Sequence, residues 1–245
     1  MIAGLYKIFD HWHQNGTVWL VSDTHFNDEE LYAGTKHINR SNSEAYVKLI
    51  NSKVGKNDTL IHLGDVGNLD AMCKVRGYKI LIMGNHDAGR TNYERKIYTK
   101  RFNAEKYDRK TILAEMRAEY PDCRISISGP FVETNYITEL YFEATADNCL
   151  FDEIYEGPVM VAEKLILSHE PVNIPWAFNI HGHKHDPHYQ NDDHHFNICP
   201  EGSGSFEPVN FNQFMKSGFM SRIQTIHRDT IDRATKRSRK RKGKK

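Results

Sequence analysis

The sequence predicts a layered α/β fold in which buried parallel strands carry metal-binding side chains at their carboxyl ends. Five short, mostly apolar runs share one form, ending in Asp, His or Asn and usually beside Gly or Ser: TVWLVSDTHF, DTLIHLGDV, YKILIMGNHD, EKLILSHEP and AFNIHGHKH. Runs this short and nearly continuous are typical of strands buried on both faces of a sheet. In such folds the chemistry collects where the strands end.

A crossover helix is predicted between the first two runs, over residues 41–54. Ser41 and Glu44 have the spacing of a capping box. Val47, Ile50 and Val54 recur at helical intervals, which gives the segment one apolar face.

The segment 89–149 interrupts this pattern and is predicted to be an insertion or cap near the site. It contains one expected helix, Arg109–Tyr120, which Pro121 would stop. The following stretch, Arg124–Glu143, is rich in Ile, Thr, Tyr and Phe, which predicts a small strand pair.

The body of the chain is predicted to end with a final strand pair, around residues 195–199 and 206–211, and a short helix. We expect one domain over residues 1–232, since 245 residues suffice for one large domain with an insertion. No internal repeat is evident.

The bulk composition predicts a cytoplasmic protein with reduced thiols. Its four cysteines show no CxxC spacing, and the amino terminus has no signal-peptide pattern. Apolar runs stay far below the roughly 20 residues that cross a bilayer, so no membrane association is expected.

The net charge of +1 hides an asymmetry between body and tail. Residues 233–245, RATKRSRKRKGKK, contain nine Lys or Arg and no acid. Removing these nine from 33 basic residues leaves 24 against 32 acidic ones, so the body carries about −8. A block of like charge this dense cannot bury itself, and the tail is expected to be disordered, with nucleic acid as a possible electrostatic partner.

The run FNIHGHKHD places three histidines at alternate positions, His181, His183 and His185. At a strand end, alternate side chains point the same way and could converge on one point. Neutral imidazole is the commonest metal ligand. Taken alone, however, the run also fits a solvated loop.

The strand ends together supply eight groups that suit metal chemistry. They are Asp23, His25, Asp65, Asn85, His86, His169, His183 and His185. Carboxylate, imidazole and amide oxygen without thiolate suit Mn, Fe, Zn or Ni better than a structural zinc site. Eight groups are too many for one ion, whereas two ions sharing a bridging carboxylate would use them.

These motifs closely resemble those of the calcineurin-like metallophosphoesterases, whose series runs D-x-H, G-D, G-N-H-D/E, a lone His, then G-H-x-H. All five occur here in order, as SDTH, GDV, GNHD, SHEP and HGHKH. The resemblance covers residues 17–88 and 150–213. The residues around the motifs are most similar to those of small bacterial and phage members. It implies a four-layer α/β/β/α sandwich, with the inserted segment and the tail outside it.

The resemblance also implies a role for each residue. The first metal would be held by Asp23, His25, Asp65 and His185, and the second by Asp65, Asn85, His169 and His183. Asp65 would be the bridge, with one oxygen for each ion. His86 would donate a proton to the leaving group while a hydroxide bridging the metals attacks phosphorus. We expect Mn first, with Fe, Ni or Zn as alternatives, and Asp87 orienting a nearby backbone or imidazole group.

One departure from the family bears on the substrate. Phosphoprotein phosphatases continue the second motif as G-D-x-x-D-R-G, whereas this chain reads GDVGNL, with Asn68 and Leu69 in place of the acid and the Arg. A phosphodiester is therefore the better prediction. Asn39 and Arg40 are weaker candidates for substrate binding, because solvation alone explains them as well.

The remaining histidines are predicted to be structural. His181 falls outside the family pattern, His62 is expected in the core, and His188, His194 and His195 are expected in or beside a loop. Two alternatives to a phosphoesterase remain open: a degenerate metal-binding scaffold, and a nucleic-acid-binding protein without significant catalysis. The natural substrate and the oligomeric state stay undetermined.

Overall fold

The computed structural model describes residues 5–12, 15–28, 41–87, 93, 95–121, 123–134, 138–148, 150–189 and 191–218. Within these ranges the strands are β1 (Val18–Val21), β2 (Thr59–His62), β3 (Tyr78–Ile82), β4 (Ile97–Asn103), β5 (Arg124–Thr134), β6 (Thr138–Asp147), β7 (Glu153–Tyr155), β8 (Val159–Ala162), β9 (Leu165–Leu167), β10 (Phe178–His181), β11 (His195–Asn197) and β12 (Val209–Asn210). The helices are α1 (Ser43–Lys53), α2 (Leu69–Cys73), α3 (Arg109–Glu119), α4 (Pro200–Ser203) and α5 (Phe211–Lys216). The predicted mixed α/β class is confirmed, and the five apolar runs form β1, β2, β3, β9 and β10.

The first sheet has the order β12-β1-β2-β3-β7. Four of its strands are parallel and β12 is antiparallel to β1. The carboxyl ends are in register, because Val21 is paired with His62 and His62 with Leu81. The loops that follow β1, β2 and β3 therefore leave the sheet at the same edge.

The second sheet has the order β11-β10-β9-β8, in which only β8 is antiparallel to its neighbour. Ile180 of β10 is paired with Leu167 of β9. The loops after β9 and β10 thus also leave at one edge, and these are the loops that carry the remaining histidine motifs.

The two sheets pack face to face. A single buried core contains Leu20, Ile61 and Ile80 of the first sheet together with Leu167 and Ile180 of the second. Alternate residues of the first sheet point the other way, into a second core that includes Leu60, Leu81, Tyr46 and Ile50. Because both faces are covered, these strands show continuous apolar sequence instead of alternation.

Loops contact the outer face of the second sheet. The side-chain oxygen of Asn179 accepts the Val172 backbone N–H at 2.7 Å, and His181 Nε2 lies 3.2 Å from the Tyr189 hydroxyl. Helix α1 packs on the outer face of the first sheet, so the described residues form three layers in the order α/β/β. The fourth layer stays a prediction. Every helix in the described ranges is too short or too polar to cross a membrane.

Helix α1 confirms the crossover helix but corrects its cap. The side chain of Asn42, not Ser41, accepts the Ala45 N–H, at 3.1 Å. Asn is as good an N-cap as Ser, so the residue types of Ser41 and Asn42 do not indicate which of the two caps the helix. Val47 and Ile50 are buried as predicted.

The predicted final strand pair is wrong in its pairing. β11 adds to β10 in the second sheet, whereas β12 adds to β1 in the first. Each strand covers an edge of a different sheet, and edge coverage satisfies backbone groups that would otherwise be unpaired. The short helix expected after them is α5.

The inserted segment forms a unit with its own core. Strands β4, β6 and β5 make an antiparallel sheet, and α3 packs against β5 and β6. The shared core consists of Phe102, Ile112, Met116, Ala144 and Ala146. The predicted helix and strand pair are confirmed. Strand β4 was not predicted, because its residues are mostly polar and exposed.

This unit is anchored at the amino ends of the body strands. Arg95 pairs with Asp147 at 2.6 Å and also with Asp152, whose carboxylate accepts the Lys79 N–H at 2.8 Å near the start of β3. Cys73 Sγ donates to the Asn148 carbonyl at 2.9 Å. These contacts lie at the edge opposite the strand-end motifs, so they give no support to a cap over that site.

Candidate metal centre

The carboxyl edges of the two sheets bring together all seven residues predicted as ligands. Asp23 and His25 follow β1, Asp65 follows β2, Asn85 follows β3, His169 follows β9, and His183 and His185 follow β10. Side chains more than 140 residues apart in sequence thereby become neighbours, as expected where parallel strands end together.

One ligand group consists of Asp23, His25 and His185, each with a ligand atom within 4.8 Å of the others. His185 Nε2 lies 3.3 Å from Asp23 Oδ1. Burial alone would lower the pKa of His185, but hydrogen bonds to Asp23 and Glu201 raise it to about 9. The surrounding carboxylates thus favour positive charge at this point, which is the condition for binding a cation.

The second group consists of Asp65, His169 and His183, whose ligand atoms also lie within 4.8 Å of one another. Asn85 Oδ1 joins it, 2.9 Å from His169 Nε2 and 3.1 Å from His183 Nδ1. This division into two groups is the one that the family resemblance implies, with Asp65 as the residue common to both.

Asp65 lies between the two groups, and one of its carboxylate oxygens, Oδ2, approaches both of them. Its Oδ2 is 3.5 Å from His25 Nε2 and 3.3 Å from His169 Nε2, while Oδ1 accepts the His86 backbone N–H at 2.9 Å. Burial opposes ionisation, yet the nearby imidazoles of His169 and His25 hold the pKa of Asp65 well below its usual value. Oδ2 is thus the Asp65 oxygen that faces a histidine of each group, and the expected bridge with one oxygen for each ion stays a prediction.

Four of the predicted ligands have backbone conformations that side chains seldom adopt. The φ angles of Asp23, His25, Asp65 and His183 are 51°, 37°, 59° and 65°. Each such residue costs on the order of 1–3 kcal/mol, and such strain concentrates at functional sites. The surrounding contacts must therefore hold these turns in place.

The carboxylate of Asp87 supplies part of that support. Its Oδ2 accepts the N–H groups of Asp65 at 2.7 Å and Gly84 at 2.9 Å, and its Oδ1 accepts from Val66 at 3.1 Å and the Tyr93 hydroxyl at 2.9 Å. Asp87 is fully buried. Of the two roles expected for it, the structure shows the backbone one.

The motif glycines are required by close packing against the carboxylates. A Cβ on Gly84 would lie 2.2 Å from Asp65 Oδ1, and a Cβ on Gly182 would lie 2.2 Å from Asp23 Oδ2. Real Cβ atoms do not approach so closely. The glycines in GNHD and HGHKH thus allow the two acids to be buried where the strands end.

The donor set fits divalent metal ions. His25 Nε2 is buried without a hydrogen-bond partner in the described part of the protein, and it faces Asp65. A buried nitrogen left unpaired is costly unless something else binds it. Both groups contain oxygen and nitrogen donors only, which suits Mn, Fe, Ni or Zn.

A third cluster of possible ligands, His185, Cys199 and Glu201, is better explained by hydrogen bonds. Glu201 Oε2 is 3.0 Å from His185 Nδ1 and 2.9 Å from Cys199 Sγ. Burial, with the nearby charges of Asp23 and Glu201, raises the pKa of the Cys199 thiol, which favours the protonated form that donates to Glu201. Glu201 was not singled out from the sequence, since no spacing relates it to His185.

His86 lies at the rim of the site with an exposed side chain. Its ring centroid is 5.3 Å from that of His25, and its backbone is fixed by Asp65 Oδ1. An exposed imidazole beside the ligands could reach a bound substrate. Asn39 and Arg40 lie outside the described residues.

His62 is a core histidine, as predicted, and His181, which falls outside the family pattern, is buried as well. His62 Nδ1 accepts a hydrogen bond from the Gly64 N–H at 3.1 Å. Its Nε2 lies 2.9 Å from the Thr24 hydroxyl. Burial lowers the pKa of each histidine to about 4, so both are neutral at physiological pH. Neither is a member of the two ligand groups.

Asn68 and Leu69, which replace the acid and Arg of the phosphoprotein phosphatases, have local roles. Asn68 is the N-cap of α2, accepting the Ala71 N–H at 3.1 Å, and Leu69 is the first residue of that helix and packs against its core. The two positions therefore serve helix α2.

The fold and the two ligand groups define a metal-binding α/β protein, and the comparisons give its family. The chain belongs to the calcineurin-like phosphoesterases, whose family model matches residues 16–198. A protein of unknown function from Aquifex aeolicus has a crystal structure similar to this one at 19% identity and a TM-score of 0.45, covering 82% of this chain and 99% of that chain. No curated protein matched.

Proposed function

We propose that this protein hydrolyses phosphodiester bonds with two divalent cations held side by side. The observation that supports this most is the position of Asp65 Oδ2, within 3.5 Å of a histidine nitrogen in each ligand group. One oxygen shared by two ligand groups suits two cations a short distance apart. Mn is the first candidate, with Fe, Ni and Zn as alternatives, and the four-layer α/β/β/α arrangement is part of the proposal.

The proposed ligands are those of the two groups already described, with Asp65 common to both. When bound, the cations would supply Lewis acidity toward the phosphate and acidify water. The protein's own contribution is to hold the donors in place before binding. The strained turns at Asp23 and Asp65, supported by Asp87 and the close-packed glycines, provide that rigidity.

His86 is proposed as the general acid. Its side chain is exposed next to His25, while its backbone N–H donates to Asp65 Oδ1. This hydrogen bond ties the backbone of His86 to the proposed bridging residue. The imidazole could therefore hold a proton beside the leaving oxygen of a bound ester.

Preference for a diester is supported by what stands at Asn68 and Leu69. Neither side chain carries a positive charge, and both contribute to α2, so neither position supplies the cation that would grip a second phosphate charge. A phosphodiester carries less charge than a monoester and needs less compensation. Asn39 and Arg40 remain candidates for phosphate contact.

The test is hydrolysis by metal-stripped and reconstituted protein. We expect chelation to abolish hydrolysis of bis-nitrophenyl phosphate, Mn to restore it, and nitrophenyl phosphate to be the poorer substrate. Activity that survives complete metal removal would overturn the two-cation proposal. Metal binding without hydrolysis of either ester would favour the degenerate scaffold, and better hydrolysis of the monoester would refute the diester preference alone.

A further inference from the structure

The carboxylate of Glu201 contacts the far side of a proposed metal ligand. Its Oε2 is 3.0 Å from Nδ1 of His185, whose Nε2 is 3.3 Å from Asp23 Oδ1. The Glu201 side chain is only 8% exposed. His185 is thus held between two carboxylates, one on each ring nitrogen.

An ionised carboxylate accepts hydrogen bonds and cannot donate them. Glu201 therefore requires a proton on His185 Nδ1, and a neutral imidazole with that proton has its lone pair on Nε2. This is the nitrogen that faces Asp23 and His25. In metal sites, such a contact on the second ring nitrogen fixes the tautomer and the ring orientation of the ligand.

The position of Glu201 is itself fixed by neighbouring groups. Cys199 Sγ donates to the same Oε2 at 2.9 Å. Asn197, fully buried, donates to the Lys184 carbonyl at 2.8 Å and accepts the Cys199 N–H at 3.0 Å. Asn197 thereby ties the turn that carries Glu201 to the loop that carries His185.

We propose that Glu201 is a positioning residue for the metal site formed by Asp23, His25 and His185. It acts by holding His185 with Nε2 directed at the cation, and it touches neither cation nor substrate. This inference rests on the proposed two-cation function and deepens it. It also accounts for the third cluster without invoking a third ion.

The experiment measures Mn binding to chelator-stripped protein by calorimetry, for the unaltered chain, Glu201→Gln, Glu201→Ala and a control, Glu207→Gln. Glu207 is 52% exposed and pairs with Lys53 away from the site. We expect Glu201→Ala to weaken binding at one of two sites by roughly 10-fold to 100-fold, with the other site unchanged. Glu201→Gln, whose amide oxygen can still accept from Nδ1, should lose less. The control should match the unaltered chain.

Catalysis provides a second measurement. Excess Mn should restore the turnover of Glu201→Ala toward the unaltered value, because the loss is in metal affinity, whereas a general folding defect would not be rescued. Mn affinities within about twofold of the unaltered chain in both variants, or a loss that Mn cannot restore, would overturn the inference alone. Failure of the unaltered chain to bind any of Mn, Fe, Ni and Zn would overturn the proposed function, and this inference with it.

Discussion

The buried carboxylate of Asp87 accepts the backbone N–H of Asp65 at 2.7 Å, and this contact fixes the turn on which the proposed bridging residue stands. The Asp87 carboxylate accepts three further hydrogen bonds, from the N–H groups of Gly84 and Val66 and from the Tyr93 hydroxyl. Asp65 has a φ of 59°, so the turn is strained and needs such support.

Asp87→Asn should destabilise the protein by at least about 2 kcal/mol. The new amide N–H₂ would face backbone donors, leaving buried groups without an acceptor, each at a cost of about 1–3 kcal/mol. Urea unfolding of the metal-free protein measures the change. The exposed Asp193→Asn is the control, and equal stabilities of the two variants would refute the supporting role of Asp87.

Asp65→Asn should lose more bound metal than His25→Ala at limiting Mn. Asp65 contacts both ligand groups, whereas His25 belongs to one. Asn tolerates positive φ well, so the substitution tests the carboxylate rather than the backbone. Metal content by mass spectrometry decides, and equal content in the two variants would count against a shared ligand.

His86→Ala should retain its metal and slow turnover by roughly 100-fold to 10,000-fold for alkyl esters, because a positioned acid typically contributes that much. The loss should be smaller for nitrophenyl esters, whose leaving group departs without a proton. His188→Ala, exposed and in a turn, is the control. An equal loss for both kinds of ester would exclude His86 as the general acid.

The metal-free protein should lose stability as the pH rises from about 6.5 to 9. Despite burial, its carboxylate partners raise the folded pKa of His185 to about 9, above the unfolded value near 6.5. Its contribution, on the order of 3 kcal/mol, is complete below pH 6.5 and is lost as the pH passes through 9.

Urea unfolding of the chelated protein across this range measures the slope, and His185→Gln should flatten it. The pKa of His169 is also raised: although burial opposes protonation, Asp65 and Asp23 favour it, so part of the slope should remain. A His188→Gln control should keep the full slope. An identical slope in the His185 variant would contradict the assignment.

The basic tail, residues 233–245, lies outside the described residues, and its predicted partner is tested by truncation at Asp232. We expect unchanged hydrolysis of a small diester, because the tail would act through charge alone. Binding to single-stranded DNA should weaken, and the salt dependence of log K should flatten by about 0.7 per lost phosphate contact. Identical salt dependence with and without the tail would exclude this role.

The sequence by itself determined the parts of the protein that depend on local order. Apolar runs identified the five body strands. The polar residues that end each run identified the candidate ligands, because parallel strands bring their carboxyl ends to one edge. Helices α1 and α3 followed from periodicity within single segments. The family follows from the same motifs, which the family model spans.

Tertiary structure alone decided what depends on contacts between distant segments. Glu201 reaches His185 only because β11 lies beside β10, and Tyr93, which belongs to no motif, donates to Asp87. The edge strands β11 and β12 joined different sheets, and the inserted unit attached at the edge opposite the site. Periodicity describes which face of a segment is buried, but it contains no information about which distant segment covers that face. The positive φ angles at Asp23 and Asp65 are likewise imposed by packing around the two carboxylates.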